Sequence, residues 1–330
     1  MSNGQDGSEG RSGLRGQVAV VTGGSRGLGF LLARELLWRG CQVALLARDG
    51  GELERASLQL GAPVAEVTGV PCDVGDEDQV AAAVAQVERR LGPVDVLVNN
   101  AGMIRVGPLA ALGPADVKRA VEVMLLGVVN PTMAVLPGML RRGRGRVVTI
   151  TSIGGKLAAP HLLPYTTAKF GAVGFSEALR VELAGTGVRV TTVVPGLMRT
   201  GSHLNAEFIG QPAREFAWFG LAASLPLVSM DAERAARRIV NAAERGRAEL
   251  MLTPLAHVAA RAWALAPGLC ADVAGLIARV LPDPGQAPAR PAEPGFQAAR
   301  RQPASAASRL MGLGTAAARR FNQFGPANRA

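Results

Sequence analysis

From residue 17 onward, short and wholly apolar runs alternate with segments whose apolar residues recur every three or four positions. QVAVVT (17–22) is the first run, LGFLLARELLWRG (28–40) has helical spacing, and CQVALLA (41–47) is strand-like again. The cycle repeats with a helix near 51–60, a strand near 64–70, a helix over 76–91 and the strand VDVLVNN over 94–100. It continues with a long helix over about 114–142, the strand RVVTITS, a helix over 164–184, the strand VRVTTVVPG and a helix over 231–246. A strand that is apolar at every position has both faces covered, and amphipathic helices between such strands supply the cover. The pattern predicts an α/β fold with a doubly wound parallel sheet over residues 17–252.

The two ends break the rhythm. Residues 1–16 are polar and glycine-rich without an apolar core segment, which predicts a disordered arm and not a signal peptide. In 255–281 Leu255, Val258, Ala262, Leu265, Leu269, Val273, Leu276 and Val280 recur at helical spacing, and Pro267 divides the segment. Arg261, Asp272 and Arg279 exclude a bilayer span. The expectation for 253–281 is a helical extension, packed on the domain in preference to lying in a membrane interface. Residues 282–330 read as a disordered Pro/Ala/Arg-rich tail, in which SRLMGLGTAAARRFNQF could form a weak basic helix opposed by Gly312 and Gly314.

Composition narrows the function. A net charge of +10 raises nucleic acid as a partner, but residues 283–330 alone contribute seven arginines against Asp283 and Glu293, half of that excess. Only Lys118, Lys156 and Lys169 are lysines, and no basic–aromatic reader pattern is present, so nucleic acid is not expected. Cys41, Cys72 and Cys270 are scattered and odd in number, which argues for a reducing, cytoplasmic setting. His161, His203 and His257 show no metal-ligand spacing, so no metal is expected.

The first strand runs directly into TGGSRGLG (22–29), and a helix follows at once. Glycines there permit a tight turn and let a pyrophosphate approach the backbone at the positive end of a helix. A strand before it and a helix after it are the context of a Rossmann-type dinucleotide site. The spacing TGxxxGxG resembles the short-chain dehydrogenase/reductase family, and the resemblance extends over 17–252. It implies cofactor contacts from Gly23, Ser25, Arg26, Gly27, Leu28 and Gly29 in the turn. CDV (72–74) resembles the adenine-binding element with Asp73 and Val74, and NNAG resembles the turn near the ribose with Asn99, Ala101 and Gly102. Pro195, Gly196 and Thr200 resemble the segment that holds the nicotinamide carboxamide.

At the end of the second strand, where an NAD enzyme places a carboxylate on the ribose hydroxyls, this chain has Ala47 followed by Arg48. A guanidinium there suits a 2′-phosphate, with Arg26 and Ser25 as further ligands, so NADP(H) is expected over NAD(H).

Residues 151–169, TSIGGKLAAPHLLPYTTAK, carry the reacting groups. Tyr165, the only tyrosine, and Lys169 stand at i and i+4 on one helix and share a face. Ser152 lies thirteen residues earlier at a strand end, and the three resemble the family's Ser–Tyr–Lys set. Ser152 and Tyr165 can donate to a carbonyl oxygen, with Tyr165 as general acid. A nearby Lys169 ammonium is expected to lower the tyrosine pKa, and the resemblance also puts Lys169 and Tyr165 beside the nicotinamide ribose.

In the family a fourth member, an asparagine on the preceding helix, holds a backbone kink and a water near the lysine. Aligned on its glycine, VEVMLLGVVN (121–130) puts Met124 at that position. A thioether donates no hydrogen bond. Pro131, by leaving the Gly127 carbonyl unpaired, is one substitute, and Asn130 a weaker one.

Between Gly196 and residue 231, Phe208, Phe216, Trp218 and Phe219 gather four of thirteen aromatics. They either line a site for a small lipophilic carbonyl or alcohol, or pack this lid against the extra helices. The leading expectation is an NADP-dependent oxidoreductase acting on a ketone, aldehyde, steroid-like or 3-oxoacyl substrate. The alternative is a catalytically weak dinucleotide-binding sensor or docking module, with Met124 as its sign. The resemblance further implies a homo-oligomer, and residues 253–330 allow peripheral membrane contact.

Overall fold

A computed structural model describes residues 13–63, 65–224, 229–283, 292–301 and 317–323. Its centre is a seven-stranded, all-parallel sheet. The strands are β1 (Val18–Thr22), β2 (Gln42–Ala47), β3 (Val67–Pro71), β4 (Val94–Asn99), β6 (Gly145–Ile150), β7 (Val188–Val194) and β11 (Glu249–Met251), and β5 (Arg105–Val106) lies outside that sheet. They stand in the order β11-β7-β6-β4-β1-β2-β3. β1 lies between β2 and β4, so the winding reverses there and opens a crevice at the carboxyl ends of β1 and β4.

The alternation along β1 shows why these strands are continuously apolar. Ala19 and Val21 face one core, with α1 (Gly27–Trp38), α2 (Gly50–Leu60) and α8 (Ala232–Glu244), through Leu31, Leu53 and Ile239. Val18 and Val20 face the other, with α3 (Glu77–Leu91), α5 (Gly127–Arg142) and α6 (Leu163–Glu182), through Val84, Val135 and Leu179. Both faces are shielded, and the predicted doubly wound α/β architecture is what the chain forms. The predicted long helix is α4 (Pro114–Val121), a π-helical turn at Glu122–Leu126, and α5, in unbroken succession.

Above the carboxyl ends sits a lid built from β5, β8 (Leu197–Arg199), β9 (Glu207–Phe208), α7 (Pro212–Ser224) and β10 (Ser229–Asp231). β12 (Glu293–Pro294) pairs antiparallel with β9, and α11 (Gly295–Arg300) follows it. Within the expected disordered tail, the described residues 293–300 form these last two elements, and Ala298 is buried in one apolar cluster with Phe208. The expected helix at 308–324 falls largely outside the described residues, and 317–320 form one helical turn. At the other end Leu14 is fully buried against the first core, so the expected arm is shorter than 1–16 within the described residues.

Pro267 divides the C-terminal helices as expected, into α9 (Pro254–Leu265) and α10 (Pro267–Ala278). The pair does not pack on the domain as expected. α9 buries only Ala256 and Ala260, one turn apart, and α10 buries no residue. The Leu/Val stripe (Leu255, Val258, Leu265, Leu269, Val273, Leu276, Val280) is instead exposed. The small face meets the protein because alanines let the α9 backbone come close.

Candidate active site

The glycine turn and the turn after β4 are locked together at the crevice. The Thr22 hydroxyl accepts the N–H groups of Asn100 (2.9 Å) and Ala101 (3.0 Å), and the Asn100 amide donates to the carbonyls of Thr22 (3.0 Å) and Gly23 (3.2 Å). Gly27 has φ +58° and begins α1, and a Cβ on Gly29 would run into the Gly23 carbonyl. No side chain caps α1 and no acidic residue stands in its first turn. A helix start without a side-chain cap, with glycines where a Cβ would block approach, fits the pyrophosphate of a dinucleotide.

Residues 317–323 reach into this same cradle. The Gly27 N–H donates to the Phe321 carbonyl (2.8 Å), the Asn322 amide to the Ser25 carbonyl (2.8 Å), and the Gln323 amide to the Thr200 carbonyl (3.2 Å). Sequence reasoning missed this segment, because nothing local in ARRFNQ states what it docks on.

Of the phosphate-ligand candidates, Ser25 and Arg26 both face a carboxylate that sequence reading overlooked. The Ser25 hydroxyl donates to Glu52 at 3.0 Å, and the Arg26 guanidinium pairs with Glu52 at 3.1 Å and with Asn205 at 3.4 Å. Arg48 is exposed, and among the described residues no ion pair holds it. Ala47, the last residue of β2, is half-buried beside it, and Asp49 two residues on caps α2, its carboxylate accepting the Glu52 N–H at 2.8 Å. Leu28 is buried in the first turn of α1.

The remaining cofactor candidates line the same crevice. Burial raises the Asp73 carboxyl, but the Gly75 N–H (3.0 Å) and the Arg119 guanidinium (3.2 Å) outweigh it and hold the group below its ordinary value. The Val74 carbonyl accepts from Asn130 at 3.1 Å, so Asn130 fixes the CDV loop and is not a substitute near the lysine. Asn99 is buried, its amide donating to Thr132 (2.9 Å), while its Oδ1 finds no partner among the described residues. Gly102 abuts Met124. The Pro195 carbonyl accepts from the Ile153 N–H (2.7 Å), a Cβ on Gly196 would come within 2.5 Å of the Thr253 hydroxyl, and Thr200 is buried.

Ser152 caps a short 3-10 turn, Ile153–Gly155, just past β6, its Oγ accepting from the Gly154 N–H at 3.1 Å. This turn packs directly on α6. A Cβ on Gly154 would sit 3.1 Å from the Tyr165 ring, and one on Gly155 would come to 2.6 Å of the Lys169 carbonyl. These glycines, which sequence reading passed over, bring Ser152 against the tyrosine. Lys169 is buried and its ammonium donates to the Ile150 carbonyl (2.9 Å), 5.9 Å from the centre of the Tyr165 ring.

The electrostatics differ from the expectation in one respect. Burial pushes the Tyr165 hydroxyl above its ordinary value, and Ser152, not Lys169, is the group that lowers it. Desolvation lowers Lys169 itself to about 8.

Met124 is buried in a cluster with Ala120 and Ala168, against which Met103 and Tyr165 pack. The kink attributed by resemblance to an asparagine is present without one: residues 122–126 form a π turn, closed by the Gly127 N–H on the Glu122 carbonyl. Gly127 is fixed there by Val74, whose side chain would lie 2.6 Å from a Cβ.

Of the four lid aromatics, Phe208, Phe216 and Phe219 are buried in one cluster with Val106, Leu204 and Ala298. They pack the lid, though against α11 and Ala318 instead of α9 and α10. His203 is buried beside Phe216, and desolvation lowers it to about 4. Trp218 remains half-buried with Leu162 and Ile104, its indole N–H on Glu215 at 2.7 Å, and Glu215 also meets His161 at 2.9 Å.

The short chain dehydrogenase family model matches residues 17–207. A Streptomyces coelicolor protein named as a ketoacyl reductase is 44% identical over 186 residues, 56% of this chain and 71% of the relative. The ketoacyl reductase HetN of Nostoc is 35% identical over 195 residues, 59% of this chain and 68% of its own length. Among solved structures, a tryptophan variant of actinorhodin polyketide ketoreductase with NADPH superposes with a TM-score of 0.63 at 35% identity, covering 72% of this chain and 95% of that one.

Proposed function

This chain belongs to the short-chain dehydrogenase family and is an oxidoreductase of that kind using a nicotinamide cofactor, and we propose that it is an NADP(H)-dependent reductase of lipophilic ketones of the 3-oxoacyl type. The observation that carries the reading is the packing of the Ser152 turn, through Gly154 and Gly155, onto the Tyr165–Lys169 face of α6. The names of the relatives support the substrate class, as do the partly buried apolar side chains Ile104, Leu162 and Trp218 packed on the lid cluster.

The nicotinamide, when bound, supplies the hydride. Ser152 and Tyr165 hold the carbonyl oxygen by donated hydrogen bonds, aimed at charge that grows during reduction. Tyr165 releases its proton to that oxygen, and its raised pKa keeps it protonated until then. Lys169, held by Ile150, places a cation beneath the phenolate that results. Gly23, Gly27, Leu28 and Gly29 would hold the pyrophosphate, Asp73 and Val74 the adenine, and Asn99, Ala101 and Gly102 the ribose. Pro195, Gly196 and Thr200 would hold the carboxamide, and Arg48, with Ser25 and Arg26 released from Glu52, the 2′-phosphate.

The test is steady-state NADPH oxidation with 3-oxoacyl thioesters of increasing chain length against small aldehydes. The reading predicts kcat/KM rising with chain length. A preference for short aldehydes contradicts the substrate class.

A further inference from the structure

The short C-terminal segment 317–323 occupies the place a dinucleotide needs. Phe321 is buried in the core that contains Leu28 and Leu31 of α1, and its carbonyl takes the Gly27 N–H at 2.8 Å. Asn322 adopts a left-handed conformation (φ +54°), which turns the chain so that its amide reaches the Ser25 carbonyl at 2.8 Å. Gln323 is buried, donates to Thr200 at 3.2 Å and accepts from Asn205 at 2.7 Å. A Cβ on Gly27 would lie 2.5 Å from the Gln323 amide nitrogen, so the space left by the missing side chain is filled by Gln323. Outside the cradle the segment is held by Gln59 on the Arg320 carbonyl (3.1 Å) and by Arg320 on Glu233 (3.1 Å).

A carbonyl oxygen on the N–H that opens a helix is the partner a phosphate oxygen would take. One N–H and one glycine gap accept one occupant. The segment also spans two stations of the proposed cofactor path, the glycine turn at Gly27 and the carboxamide segment at Thr200. From this geometry we propose that residues 317–323 are a strap that competes with NADP(H) inside the same chain. The proposal rests on the cofactor reading above. The cofactor binds only when the strap leaves, and its apparent Kd is the intrinsic value divided by the open fraction. A strap closed nine times in ten weakens apparent affinity about tenfold.

The test compares NADPH binding, read by nicotinamide fluorescence, in three proteins: the full chain, a chain ending at Arg301, and the full chain with Asn322→Ala and Gln323→Ala. The strap predicts a Kd about tenfold lower after truncation and a smaller gain in the double variant, which keeps Phe321 in the core. Hydrogen exchange across 317–323 should rise when NADPH is added to the full chain. Equal or weaker NADPH binding by the truncated chain overturns the strap. Should truncation unfold the protein, the double variant decides, and an unchanged or higher Kd there overturns it. Failure of all three to bind NADPH or NADH overturns the cofactor reading and the strap together, whereas tight, equal binding overturns the strap alone.

Discussion

Arg48 stands exposed at the end of β2 while Ser25 and Arg26 are engaged by Glu52, so under the proposed NADP(H) reading it is the guanidinium that would meet the 2′-phosphate. A charge-assisted bond of about 1.5–3 kcal/mol translates into roughly 10- to 100-fold in affinity. Arg48→Ala should weaken NADPH by that factor and leave NADH nearly unchanged, read by titration with each; equal losses would contradict the assignment. Lys169 gives a pH prediction. Its folded pKa of about 8 lies below the ordinary 10.5, so its charge is lost as pH rises through 8. kcat/KM for reduction should be flat below that value and fall about tenfold per unit above it. Unfolding is not the cause: between the two values the unfolded chain binds more protons, so this group makes the fold more stable as pH rises. A profile flat to pH 10 would show that the cation is not needed. At this scale the sequence was informative where chemistry is local. Tyr165 and Lys169 share a helix face by spacing alone, and Ser152 ends a strand. Glu52 and Gln323 were invisible because their partners lie 27 and more than 100 residues away.

The π turn at Glu122–Leu126 forms without the asparagine that the family resemblance associates with it. Its closing bond runs between backbone groups, and Val74 packed against Gly127 leaves the chain no room for a Cβ there. Met124 therefore fills space and does not hold the kink. Met124→Asn should keep kcat within about threefold and lower Tm by a few degrees, because an amide replaces a thioether in an apolar cluster at a cost of about 1–3 kcal/mol. An activity loss well beyond tenfold, at a temperature where the variant is folded, would mean that the methionine shapes the reacting centre itself. Helical periodicity found α9 and α10 and their break at Pro267. It did not say which face meets protein, because the Leu/Val stripe dominates the pattern while Ala256 and Ala260 make the contact. The lid aromatics illustrate the same limit, since their clustering was legible and the partner, α11, was not.

The parallel sheet was readable because strands buried on two faces are apolar at every position, and the structure divides β1 between two cores accordingly. Strand order and the docking of the last residues depend on contacts between distant parts of the chain, which no periodicity encodes. Besides the stripe on α9 and α10, two apolar stripes are exposed at spacings of seven, Leu126, Met133 and Leu140 on one helical run and Leu163 and Phe170 on α6. We propose that a second copy covers them, giving a native mass by light scattering that is a multiple of the 34.1 kDa chain; a monomer at micromolar concentration would contradict this. On the proposed function, this fold sets Tyr165 to deliver a proton to a lipophilic ketone reduced by NADPH. The most direct test is NADPH oxidation over a panel of hydrophobic 3-oxoacyl thioesters and ketones, wild type beside Tyr165→Phe. The wild type should turn over, and Tyr165→Phe should lose on the order of 100- to 10,000-fold in kcat with NADPH affinity retained. Turnover undiminished in Tyr165→Phe, or NADPH bound but no panel member reduced by the wild type, would contradict it.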